Sequence, residues 1–224
     1  MMTKLRARAS ATVLAIMTVL LGCGQAGTPL DRRIAAAEDD VAKGGRGQVK
    51  LNPAPQEAIG FTWKVEGAPG TFAKVTSLAQ YDVINDDECG YIHPVAGTPG
   101  RMTTSEPVTL TKVSDTEYAG TVYRDLLQDG NYYDRGLCHW ELTGVAVNFR
   151  AEGKAGATRF QSYIGEDRLV SGGLLILHYA KMDYPRDPVV DNYPSSGSAD
   201  LQKFKPELRS QTFKVTVGRR SAQE

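Results

Sequence analysis

From Phe61 to Val217 the apolar residues recur at every second position, in short runs that break at glycine, proline, asparagine or aspartate. A repeat of two is the side-chain period of a β-strand, whereas a helix needs a repeat near 3.6. Phe61, Trp63 and Val65 alternate with Thr62 and Lys64, and similar runs occupy 78–84, 107–113, 116–123, 138–150, 158–164, 174–181 and 211–217. Ser114-Asp115 lies between the third and fourth runs and reads as a hairpin turn. In the longest run Cys138, Trp140 and Leu142 share one parity, and Val145, Val147 and Phe149 share the other. One extra residue at Thr143-Gly144 would reconcile the two, which is what a β-bulge supplies. Leu174-Leu175-Ile176-Leu177 is apolar on both faces and is expected to lie centrally in a sheet. About eight strands with frequent turns predict an antiparallel β-sandwich over 61–220; a closed barrel is the competing architecture. Stretches 85–105 and 182–206 fall outside the pattern and read as long loops.

The chain has 224 residues, of which 41% are hydrophobic and 23% charged, enough for one domain with a true core. It carries 26 basic and 26 acidic residues. Three of the basic ones, Lys4, Arg6 and Arg8, lie in the first 22 residues, which hold no acid. The remainder is therefore slightly acidic. No basic field is present to attract phosphate backbones, so nucleic acid is not an expected partner.

The N-terminus has its own grammar. After the positive front, Ala9 to Leu21 is apolar apart from Ser10, Thr12 and Thr18. That run would span roughly 20 Å as a helix, too short for a stable membrane span and right for the apolar region of a signal peptide. Leu20-Leu21-Gly22-Cys23 closes it. The tetrapeptide resembles the lipobox of bacterial lipoproteins. The resemblance implies diacylglycerol on the Cys23 sulfur, cleavage before Cys23, and acylation of the new amine. Each buried methylene adds about 0.8 kcal/mol of membrane attachment. Gly24 stands where such lipoproteins carry Asp when retained in the inner membrane, so the outer membrane, facing the periplasm, is the expected location. The predicted organisation is a signal peptide at 1–22, a lipid anchor and linker at 23–60, the β-domain at 61–220 and a disordered tail at 221–224. One short helix is a candidate within the linker. Thr28 would be its cap and Pro29 its first residue, Leu30, Ile34, Ala37 and Val41 would lie on one stripe, and Gly44 and Gly45 would stop it.

With Cys23 lipidated, Cys89 and Cys138 remain. In an oxidising compartment the simplest outcome is a disulfide between them. Free buried thiols are the alternative. A zinc site from Cys89, His93, Cys138 and His139 lacks the usual spacing.

Two acidic stretches invite a calcium reading: Asp86-Asp87-Glu88, and the loop holding Asp125, Asp129, Asn131 and Asp134. The first lacks the regular ligand alternation of a calcium loop and reads as a solvated acidic turn; the Asp129-Gly130-Asn131 core of the second reads equally as a plain turn. His139 and Glu141 would share a strand face and form the one candidate general-base pair, but no nucleophile elbow, zinc helix or phosphate loop accompanies them. No cofactor is implied. Loop aromatics with arginine are typical binding anchors, and Tyr132, Tyr133, Arg135, Tyr184 and Tyr193 make up the candidate surface. The expected function is therefore a non-enzymatic binding lipoprotein, held to the membrane by its N-terminal lipid and engaging a protein partner in the envelope. Envelope lipoproteins with one disulfide-stapled β-domain loosely resemble immunity proteins that neutralise toxins. The alternatives are a structural subunit of an envelope or secretion assembly, and an enzyme acting on envelope polymers.

Overall fold

The computed structural model describes residues 49–90, 98–152, 157–186 and 194–220. The leader, Cys23, the helix expected after Thr28, His93, Tyr193 and the 221–224 tail lie outside the described residues.

Two five-stranded sheets pack face to face as a β-sandwich. Among the described residues ten strands form in chain order: β1 (Ala58–Glu66), β2 (Lys74–Val83), β3 (Thr103–Val108), β4 (Leu110–Lys112), β5 (Glu117–Tyr123), β6 (Trp140–Arg150), β7 (Arg159–Gly165), β8 (Leu175–Ala180), β9 (Pro194–Ser195) and β10 (Thr212–Arg219). The first sheet runs β4-β5-β1-β10-β8 and the second β3-β2-β6-β7-β9. All pairings are antiparallel except β7 with β9, which is parallel. Two short helices, α1 (Asp86–Cys89) and α2 (Glu166–Val170), cap one end. No helix among the described residues is long and apolar enough to cross a membrane.

The alternating residues point where their periodicity predicts. Phe61, Trp63 and Val65 are buried, as are Phe213, Val215 and Val217 on the neighbouring strand. The bulge falls where the parity changes. Gln80 pairs with Gly144 and Tyr81 with Leu142, which leaves Thr143 as the extra residue. Its hydroxyl donates to the Gln80 carbonyl at 3.1 Å. Glycine follows because a Cβ on Gly144 would sit 2.5 Å from the Ile164 carbonyl oxygen and 2.6 Å from the Tyr163 ring. Trp140 and Leu142 before the bulge, and Val145, Val147 and Phe149 after it, thus all face the core.

Two tyrosines tie the sheets together. Tyr81 of β2 donates its hydroxyl to the Tyr123 carbonyl of β5 at 2.6 Å. Tyr179 of β8 donates to the Gln161 carbonyl of β7 at 2.8 Å. Burial pushes both phenols well above their ordinary range, so both stay neutral donors.

Three expectations need correction. Leu174–Leu177 does not lie centrally, because β8 is the edge of its sheet. Leu175 and Leu177 are buried, but Leu174 and Ile176 are 60% and 42% exposed. The run expected at 107–113 is broken: the chain leaves one sheet after Val108 and joins the other at Leu110, and part of the stretch read as loop, Thr103–Ser105, belongs to β3. The linker is not free as far as Gly60. From Val49 onward it is docked, with Asn52 N–H donating to the Leu126 carbonyl at 2.7 Å and Gln128 N–H to the Lys50 carbonyl at 2.8 Å. The sandwich begins at Ala58.

Candidate functional site

One end of the sandwich gathers the starts of β1, β6 and β8 and the finishes of β2, β5, β7 and β10. The loops that meet there are held by covalent and polar ties. Cys89 at the end of α1 and Cys138 just before β6 form a disulfide, their Cα atoms 5.3 Å apart. The Asn85 side chain braces the same corner, donating to the Leu137 carbonyl and accepting the His139 N–H, each at 2.9 Å. The Arg135 guanidinium donates to the Gly90 and Asp87 carbonyls, which clamps the 130–137 loop onto α1.

Between these loops lies a cleft of about 540 Å³. Five carboxylates line it: Glu57 ahead of β1, Asp125 and Asp129 after β5, Glu141 on β6 and Glu166 at the start of α2. Among the described residues a single cation, Arg124, enters the wall; it pairs with Glu166 at 2.8 Å and with Glu57 at 3.5 Å. Asp125 accepts the Gln56 and Glu57 N–H groups at 2.8 and 3.0 Å. Those backbone donors hold its carboxyl below the usual carboxylate range. Asp129 accepts the Trp140 N–H at 3.0 Å and sits 2.6 Å from His139 Nδ1. Glu141 has no hydrogen-bond or ion-pair partner among the described residues and is exposed on β6. Trp140 and Leu142, on either side of it, turn their side chains into the core and fix its position.

Asp125, Asp129 and Asn131 are already engaged with backbone. Asn131 Oδ1 accepts N–H groups from Arg135 and Gly136. Asp134 adopts a positive φ of 56° at the loop's tightest point. Asp86, Asp87 and Glu88 occupy the first turn of α1, where acids complement the helix dipole. Among the described residues no three histidine, cysteine, aspartate or glutamate side chains are grouped as a metal ion would require. His139 and Glu141 share a strand face, yet the partner of His139 is Asp129.

Of the five residues read as a binding surface four are described, and these do not come together. Tyr132, Tyr133 and Arg135 lie at the disulfide end. Tyr132 donates its hydroxyl to the Gln128 carbonyl at 2.5 Å and meets Trp140 edge-on at 6.3 Å between ring centroids. Tyr133 packs against the core. Tyr184 lies at the opposite end, where it donates to the Thr71 carbonyl at 2.7 Å and packs edge-on against Phe72. Glu57, Arg124 and Glu166 were not singled out in the sequence. They come from separate strand ends, and no local spacing marks residues that only the sheet topology assembles. No family model matches this chain, and neither does any curated protein or solved structure.

Proposed function

We propose that this chain is an envelope-anchored binding lipoprotein, tethered through lipid on Cys23 with its β-domain in the periplasm, and that its acidic cleft receives a cationic segment of a protein partner. In its most concrete form it is an immunity protein that neutralises a toxin delivered to the envelope. The observation that carries the reading is the cleft itself: five carboxylates against one guanidinium, set on loops fixed by a disulfide and by backbone hydrogen bonds. A predominantly acidic cleft, most of whose carboxylates are already held in place, steers an oppositely charged partner and costs little ordering on binding. The slightly acidic balance after the first 22 residues acts in the same direction.

A competition assay between sister cells tests the function. Deleting the gene should sensitise cells to their siblings, and the wild-type gene should restore survival. Glu141→Lys should fail to restore it although the protein accumulates normally. Full survival of the deletion strain would remove the immunity reading. Anchoring is tested separately: Cys23→Ser should abolish palmitate labelling and release the protein from membranes.

A further inference from the structure

A second opening lies on the flank of the sandwich where the chain changes sheets. β3 ends at Val108 and β4 begins at Leu110, so Thr109 alone carries the crossing. β4 is short and pairs only as far as Leu110 opposite Gly120. Beyond Gly120 the last residues of β5 therefore have no paired strand on that side. The pairing also fixes which backbone groups face the gap. The Gly60 carbonyl accepts the Arg220 N–H, so the polar groups of Gly60 point toward β10, and those of Ile59 and Phe61 toward β5. Val122 and Gly120, their partners, face β1, and Thr121 faces the gap.

The resulting notch is about 420 Å³, within the range of small-ligand sites, roughly 300 to 1,000 Å³. Its inner wall is apolar: Ala79, Val108, Val122 and Leu126, with the Tyr81 ring, whose hydroxyl is committed to Tyr123. Its mouth is polar, with Thr109, Thr111 and Thr121 exposed. Arg220 completes the rim. Gly60 has no side chain, so the arginine lies across it, with Nε 3.4 Å from where a Cβ would stand. The Arg220 guanidinium forms no ion pair or hydrogen bond among the described residues. An apolar interior behind one uncommitted cation and three hydroxyls matches a molecule with an alkyl chain and a negative head.

We propose that this notch binds a single-chain amphiphile with an anionic head, a carboxylate or a phosphate ester. The alkyl chain enters between the sheets against Val108 and Val122. The head stays at the mouth, paired with Arg220 and hydrogen-bonded by the threonines. The site shares no lining residue with the acidic cleft, which it adjoins along 123–127, and stands whether or not that cleft binds a protein.

The test uses the purified full chain in nanodiscs of neutral phosphatidylcholine, titrated with dansylundecanoic acid against empty nanodiscs. Saturable one-to-one binding is expected. Arg220→Gln should weaken it roughly tenfold or more, the scale of losing one charged hydrogen bond. The methyl ester should bind the wild-type chain as weakly as the acid binds the variant. Thr121→Trp, which plugs the mouth from an exposed position, should abolish binding while the circular dichroism spectrum is retained. Repeating the titration in phosphatidylglycerol nanodiscs separates the sources: competition identifies a membrane lipid, and undiminished binding a free amphiphile. Absence of saturable binding, or binding indifferent to both substitutions, overturns the proposal.

Discussion

The two ends of this sandwich are stabilised by different physics. At the end remote from the disulfide, aromatic rings do the work. Trp63, Phe72, Phe149, Phe160, Tyr179, Tyr184 and Phe213 contact one another in edge-on, tilted and stacked pairs with centroids 4.9 to 6.4 Å apart. Such pairs add about 0.5–1.5 kcal/mol each beyond the area they bury. At the disulfide end a covalent bond with backbone-directed Asp, Asn and Arg side chains replaces much of the ring packing. Directed polar ties hold charged groups in place without covering them. The cleft therefore lies at the end where side chains are positioned by hydrogen bonds rather than consumed by the core.

The largest expected effect tests the aromatic end. Phe149→Ala should cost about 4 kcal/mol, because the ring is fully buried among four aromatic neighbours, Trp63, Phe72, Phe160 and Tyr179. Urea unfolding measures it, and the acidic cleft should be left intact in the folded fraction. Replacing Cys89 and Cys138 together by serine comes next, with a loss of up to about 4 kcal/mol from reopening a loop of 49 residues' separation. Native-state hydrogen exchange should show that loss beginning in 124–139, with the aromatic end protected until global unfolding. A smaller effect is expected at the bulge. Gly144→Ala must push the Ile164 backbone and should cost about 1–3 kcal/mol.

The smallest effect concerns pH. Asp125 has its carboxyl lowered by the Gln56 and Glu57 N–H donors, so its contribution is complete above the unfolded value near 3.9 and is lost as pH falls through the folded value below it. Below pH 4 the docked 49–57 segment should begin to exchange its amides faster than the strands do. Asp125→Asn should show the faster exchange already at neutral pH and no added acid sensitivity.

Much of the architecture was legible in the chain, for a specific reason. β1, β5, β6 and β10 bury one face and expose the other, so their alternation survives in the sequence, and even the bulge announces itself as a change of parity. β8 misled because Leu174 and Ile176 are apolar without being covered. Leu174 leans over Gly218, where a Cβ would lie 2.3 Å from its Cδ2, and Ile176 faces outward. Two-residue β9 has no period to read, and its parallel pairing depends on where a long loop returns. The disulfide followed from cysteine arithmetic. The acidic cleft did not follow from any local pattern, because Glu57, Arg124, Glu141 and Glu166 are spread over more than a hundred residues of chain and converge only once the sheets form. Tyr132 and Tyr184, chosen as exposed anchors, instead donate their hydroxyls to nearby carbonyls, a use of tyrosine that sequence alone does not distinguish from display.

Site-specific photocrosslinking in living cells compares the two ends most directly. A photoreactive residue at Glu141 samples the acidic cleft, and one at Lys112, an exposed side chain on the short edge strand, samples the turn at the other end. The account expects a discrete protein adduct from position 141 that weakens with rising salt, and none from position 112. An adduct from position 112 alone, or one at 141 indifferent to salt, would contradict it.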